Sequence, residues 1–127
     1  MAITTPVLNG VTLPQVSVRD GYMEYPGYRG VDTEMVSGAL ATDLVSTAVK
    51  RRFELAWIGL TETQVTHSTT GLLKAWEGVR SGSASFTAPT GGAYTVTRDI
   101  GEMELPITWY RAAGGLRADV RMKLREV

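Results

Sequence analysis

The last stretch of the chain, LRADVRMKLREV from Leu116 to Val127, has the clearest pattern of alternation. Leu116, Ala118, Val120, Met122 and Leu124 take one side, while Arg117, Asp119, Arg121, Lys123 and Arg125 take the other. A period of two predicts a strand with one buried and one charged face. It runs almost to the final residue, so this end is expected to be tied into a sheet. Upstream, Leu105, Ile107 and Trp109 alternate within Glu104–Tyr110, and Gly114-Gly115 supplies a turn, predicting a hairpin with a loop over Arg111–Gly115. Pro106 cannot donate a ladder hydrogen bond, which assigns that strand to an edge or a bulge.

A second hairpin is predicted from Ser83–Thr87 and Ala93–Arg98, joined through Ala88–Gly92, where paired glycines permit a tight turn. Lys50–Ile58 alternates Phe53, Leu55 and Trp57 with Arg52, Glu54 and Ala56 and is expected to end at Gly59. One helix is predicted from about Glu62 to Val79. Thr61 and Gln64 make a capping box, Leu60 and Val65 a hydrophobic staple, and Val65, Leu72, Trp76 and Val79 an apolar stripe with Thr69 in its gap. Its Thr, Ser and Gly71 content makes it weak alone, so packing of Leu72 and Trp76 must hold it.

The first half is less regular. Val11–Arg19 reads as a strand with Val16 and Val18 inward, and Thr33–Val36 and Ala39–Val45 as short strands around Ser37-Gly38. Between them DGYMEYPGYRG, with Pro26 and several glycines, excludes a helix and reads as part of a long arm over about residues 20–43. The order of strands, helix and two hairpins predicts an α+β, mainly β fold: an antiparallel β-sandwich with one flanking α-helix, in a single domain over residues 1–127.

Composition narrows the chemistry. The 43% hydrophobic and 20% charged residues describe an ordinary globular chain. With no cysteine there is no disulfide, thiol nucleophile or cysteine zinc site. His67 is the one histidine, too little for a metal site and without a nucleophile elbow to serve. No phosphate loop or dinucleotide fingerprint occurs, so no enzyme activity and no cofactor are expected. No apolar run reaches the ~20 residues of a membrane span, and Met1–Pro6 lacks the form of a signal peptide.

The 13 basic and 13 acidic residues balance, but unevenly. Residues 1–46 hold Arg19 and Arg29 against Asp20, Glu24, Asp32, Glu34 and Asp43, net −3, and the remainder is net +3. Either this is ordinary surface variation, or an acidic arm of one copy meets a basic face of the next. Two candidate interfaces follow. Tyr22, Tyr25 and Tyr28 combine apolar rings with polar tips, suiting a docking surface, or else fold back over their own core. Arg117, Arg121, Lys123 and Arg125 form a charged face that either pairs with acidic groups of a neighbour, of the kind of Asp99, Glu102 and Glu104, or is solvated and guards against aggregation.

The phrases MAITTPVLNGVTLP, SGALATDLVSTAVKRRFELAWIGLTETQV and SGSASFTAPTGGAYTVTRD and the closing KLREV, taken in order, resemble small tail proteins of long-tailed bacteriophages, of the distal-tail and tail-tube kind. The resemblance covers nearly the whole chain and contains no catalytic signature. It implies a virion structural protein, built on a β-sandwich, that forms a ring, hexameric in such proteins, between the tail tube and the tip or baseplate hub. Its partners would be its own copies and neighbouring tube, hub and tape-measure proteins, with DNA only passing through the lumen. Lys50–Ile58 would then be a sandwich strand, Thr61–Val79 the flanking helix and Asp20–Asp43 an arm toward a neighbour. Tube, terminator and head–tail connector rings are the related alternatives, and a monomeric glycan- or peptide-binding module is the alternative of another class.

Overall fold

A computed structural model describes residues 5–16, 21–27 and 50–127 in full, and residues 30–34 and 40–44 as backbone strands. Tyr28, Val18 and Arg19 lie outside the described residues. The chain is α+β, mainly β and antiparallel. Its strands are β1 (Val7–Leu8), β2 (Val11–Thr12), β3 (Tyr22–Gly27), β4 (Gly30–Glu34), β5 (Leu40–Leu44), β6 (Lys50–Thr61), β7 (Ala84–Thr87), β8 (Ala93–Arg98), β9 (Ile107–Ala112) and β10 (Gly115–Glu126). Two short helices, α1 (Glu62–Thr66) and α2 (Leu72–Arg80), lie between β6 and β7. Eight strands share one hydrogen-bonded sheet in the order β2-β1-β7-β8-β10-β6-β3, with β9 also on β10. Within that network the two separately bonded layers of a sandwich are not distinguished.

The long strand β10 organises this sheet. Its charged-apolar alternation places Ala118, Val120, Met122 and Leu124 in the core, opposite Leu60, Trp57, Leu55 and Phe53 of β6. On its other side β10 pairs with β9 along its first half and with β8 along its last residues. The predicted hairpins are present. The β9–β10 turn is tighter than expected, at Ala113-Gly114, and Pro106 falls just before β9 rather than within it. Leu116, assigned to the buried face, is exposed, because the sheet outruns the core there.

Strand β6 does not stop at Gly59. Ile58 and Gly59 together face Asp119, a β-bulge, after which pairing resumes through Thr61 opposite Arg117. Gly59 takes φ 76°, which a residue with a Cβ resists, and its amide donates to Asp119 Oδ1 at 3.1 Å. A glycine in a strand here made a bulge rather than an end.

The predicted single helix is two. The capping box at Thr61 forms, with Gln64 N donating to Thr61 Oγ1 and Thr61 N to Gln64 Oε1. Then the chain breaks over 67–71. His67 Nδ1 accepts hydrogen bonds from the amides of Thr69 and Thr70, both at 3.2 Å, which draws those donors away from helical pairing. A Cβ at Gly71 would stand 2.5 Å from the His67 carbonyl oxygen, so glycine permits the tight re-entry into α2. Thr69 is exposed and fills no stripe, while Val65, Leu72, Trp76 and Val79 are all buried. Packing of α1 over β6 and β10, and of α2 over β8 and β2, holds these short helices.

Of the strand expected over Val11–Arg19, 17–19 lie outside the described residues, and the described residues 11–16 form a strand only at Val11–Thr12. It pairs with Val7–Leu8 through Asn9 (φ 53°) and Gly10 (φ 75°), a two-residue turn of the type that matches strand twist. Leu13 is buried and Val16 packs against the core. Trp57 Nε1 donates to the Pro14 carbonyl at 2.8 Å, fastening this segment across the core.

Candidate functional site

Within the segment read as an arm, the described residues 22–27, 30–34 and 40–43 lie in strands. Tyr22–Gly27 pairs antiparallel with β6, Tyr22 opposite Leu55 and Gly27 opposite Lys50. Among the described residues β3 is bonded to a strand on one side only, which tolerates Pro26. Beyond it, β4 and β5 pair with each other, Gly30 opposite Leu44 and Glu34 opposite Leu40, and among the described residues with no strand of the main sheet. These strands overlap the ones expected at Thr33–Val36 and Ala39–Val45 over 33–34 and 40–44; 35–39 and 45 lie outside the described residues.

Alternation separates the tyrosines. Tyr22 takes the core face, its ring 6.5 Å from Phe53, which also meets Phe86 at 5.2 Å and Tyr94 at 5.0 Å. The buried Tyr22 hydroxyl lies by Thr90 without a well-formed hydrogen bond. Burial pushes this phenol far above its ordinary pKa, and the Glu24 carboxylate adds to the shift. Glu24 itself is held by Arg51 Nε at 3.0 Å and accepts from the Tyr94 hydroxyl at 3.4 Å.

Tyr25 takes the outer face. Its ring lies 5.4 Å from the Arg52 guanidinium, and its hydroxyl donates to Glu54 Oε2 at 3.3 Å. Glu54 and Glu102 flank Lys123 at 3.8 and 3.7 Å, and Arg52 reaches Asp99 at 3.9 Å. Lys123 of the charged face is therefore engaged within its own chain, as are Asp99 and Glu102. Such exposed pairs contribute little stability, about 0–1 kcal/mol each, but they set a mixed-charge surface.

The four cations of β10 do not act as one group. Arg117 stands opposite Tyr110, whose hydroxyl donates to Asp119 at 3.1 Å, and Arg121 is exposed opposite Ala56. Arg125 lies at the far end of the strand, where its Nε is buried with no hydrogen-bond partner among the described residues. There it lines a groove of about 450 Å³ with Arg80, Arg98, Thr97, Ile100 and Met103. The groove brings together residues the sequence pattern did not associate. Its signal was the pair Ile100 and Met103 in the polar stretch between β8 and β9.

His67 is exposed and serves the break between the helices. Among the described residues no three His, Asp or Glu converge as a metal ion would require, and no helix is long and apolar enough to cross a membrane. No family model matches the sequence, and no curated protein does.

Proposed function

We propose that this chain is a non-enzymatic structural protein that works by assembling with its own copies, as a ring in the tail of a long-tailed bacteriophage. The ring, a hexamer, joins the tail tube to the tip or baseplate hub and leaves a lumen for DNA. Tube, terminator and connector rings are the neighbouring assignments. The reading is supported most by the hairpin β4–β5. Gly27 and Lys50 are paired neighbours in the sheet, and a turn of two to five residues joins such positions in most hairpins. Here residues 28–49 intervene, and the strands within them pair outside the main sheet. A two-stranded sheet of this kind offers its own pair of backbone edges for contact with another copy. The side of β3 that pairs with no strand among the described residues supplies a second margin, a row of backbone donors and acceptors of the kind neighbouring subunits pair with.

The full chain, concentrated and viewed by negative-stain electron microscopy, is expected to give rings or short tubes, with a sedimentation mass that is a multiple of 13.8 kDa. A single 13.8 kDa species at every concentration, which also fails to bind other tail proteins, removes the reading.

A further inference from the structure

The groove at the end of β8 and β10 has an unusual charge balance. Arg80, Arg98 and Arg125 line it, together with Ser81, Gly82 and Met103 among others, and no carboxylate does. None of the three guanidiniums has an ion pair among the described residues, although Arg51, Arg52, Lys74 and Lys123 each do. Arg98 Nε is occupied by the Arg80 carbonyl at 2.9 Å, and this bond and Thr97 Oγ1 on the Gly82 carbonyl at 2.7 Å fix the groove floor at the end of α2. A helix C-terminus favours nearby cations, which explains part of the clustering but not the buried, unpaired Arg125 Nε. The rim is apolar: Ile100 is 77% and Met103 69% exposed. Positive charge beside exposed apolar side chains selects a ligand with carboxylates beside apolar groups. A nucleic-acid backbone would leave Ile100 and Met103 without a partner.

The chain contains a segment of the complementary kind. Residues 30–49 hold Asp32, Glu34 and Asp43 and no Lys or Arg, with Val31, Leu40 and Leu44 among them. In the β4–β5 ladder Asp32 stands opposite Thr42 and Glu34 opposite Leu40. Strand alternation places these four positions on one face, with Leu44 at its end. Two acidic positions and two leucines on one face match three arginines beside an isoleucine and a methionine.

We infer that the β4–β5 hairpin of one copy docks in the Arg80–Arg98–Arg125 groove of the next. This rests on the reading of the chain as a self-assembling protein and identifies which surfaces meet. The contact is heterologous, one surface to a different one, the kind that closes a ring when the rotation between copies divides a full turn.

A charge-reversal exchange tests it. One variant carries Arg80→Glu and Arg125→Glu, leaving Arg98 to hold the end of α2. The other carries Asp32→Lys and Glu34→Lys. Each alone is expected to raise the concentration for half-assembly about tenfold or more, and the equimolar mixture to recover wild-type assembly, because each hairpin then meets a groove of opposite sign. Wild-type assembly itself should weaken with added salt. Circular dichroism confirms that each variant is folded. Should the reversed groove unfold, Arg80→Gln with Arg125→Gln carries the test and is expected to weaken assembly less steeply. Unchanged assembly of the groove variant overturns the inference and leaves the self-assembly reading standing. So does a folded pair of variants that fail to rescue each other. A groove variant that assembles normally but loses retention of duplex DNA assigns the groove to a polyanion and likewise overturns it. A wild-type chain that never associates removes both readings.

Discussion

Tyr22 shows how one residue's place in a pleat decides its chemistry. It was grouped with Tyr25 by sequence, yet the two are three positions apart on one strand, an odd spacing that sends them to opposite faces. The glycines and Pro26 around them obscured the strand, so the alternation could not be applied. The hydroxyl of Tyr22 is buried without a well-formed hydrogen bond, so its removal relieves a desolvated polar group. Tyr22→Phe is therefore expected to keep or raise stability near neutral pH, by up to about 1 kcal/mol in urea unfolding. The sign at high pH follows from the raised pKa. The unfolded chain releases this proton near 10.0, whereas the folded chain holds it, so stability is whole below that pH and falls as pH rises above it. In Tyr22→Phe that alkaline fall should be shallower. It should not vanish, because burial also raises Tyr94 and Tyr110. An equally steep loss of stability in the variant above that pH would show that Tyr22 contributes nothing to it.

At the scale of elements, sequence periodicity read burial better than backbone continuity. The spacing of Val65, Leu72, Trp76 and Val79 identified four buried residues, but it could not register that the chain leaves the helix between the first two. That break is made by a histidine side chain and a close approach at Gly71, which are three-dimensional facts with no periodic trace. The start of α1 was fully legible because capping is local, and Thr61→Ala is expected to lower stability by about 1 kcal/mol in thermal or urea unfolding. Gly78 offers the opposite case. Gly→Ala within a helix ordinarily stabilises by about 1 kcal/mol. A Cβ at Gly78, however, would run into the side-chain amide of Asn9, in the turn that joins β1 and β2. Gly78→Ala should yield no such gain, and Gly78→Val should destabilise; a raised unfolding midpoint for either would show that the turn yields freely. The same turn, Asn9-Gly10 between Val7–Leu8 and Val11–Thr12, carried a legible hairpin signal, but the reading of Val11 onward as one long strand overrode it.

For the whole molecule the decisive division is between the eight-stranded sheet and the separately paired β4–β5. The described core draws on β1, the loop to Pro14, β6, both helices, β7, β8 and β10, while β4 and β5 pair with each other in a sheet of their own. Those two strands join the body where Gly27 meets Lys50, two positions already paired by the sheet. A short turn can thus join Gly27 to Lys50 without disturbing the pairing of β3 with β6. A chain in which residues 29–48 give way to a short Gly/Ser turn should fold as before, with its melting temperature within a few degrees of the parent, since Gly27 and Lys50 are already paired in the sheet and a shorter loop lowers the closure entropy slightly. If assembly depends on the hairpin, the same chain should sediment as a monomer at concentrations where the parent forms rings. Stability and assembly would then part company in one construction. Loss of both together would mean that the hairpin belongs to the fold, and retention of both would mean that the copies meet elsewhere, with the open side of β3 the next surface to block.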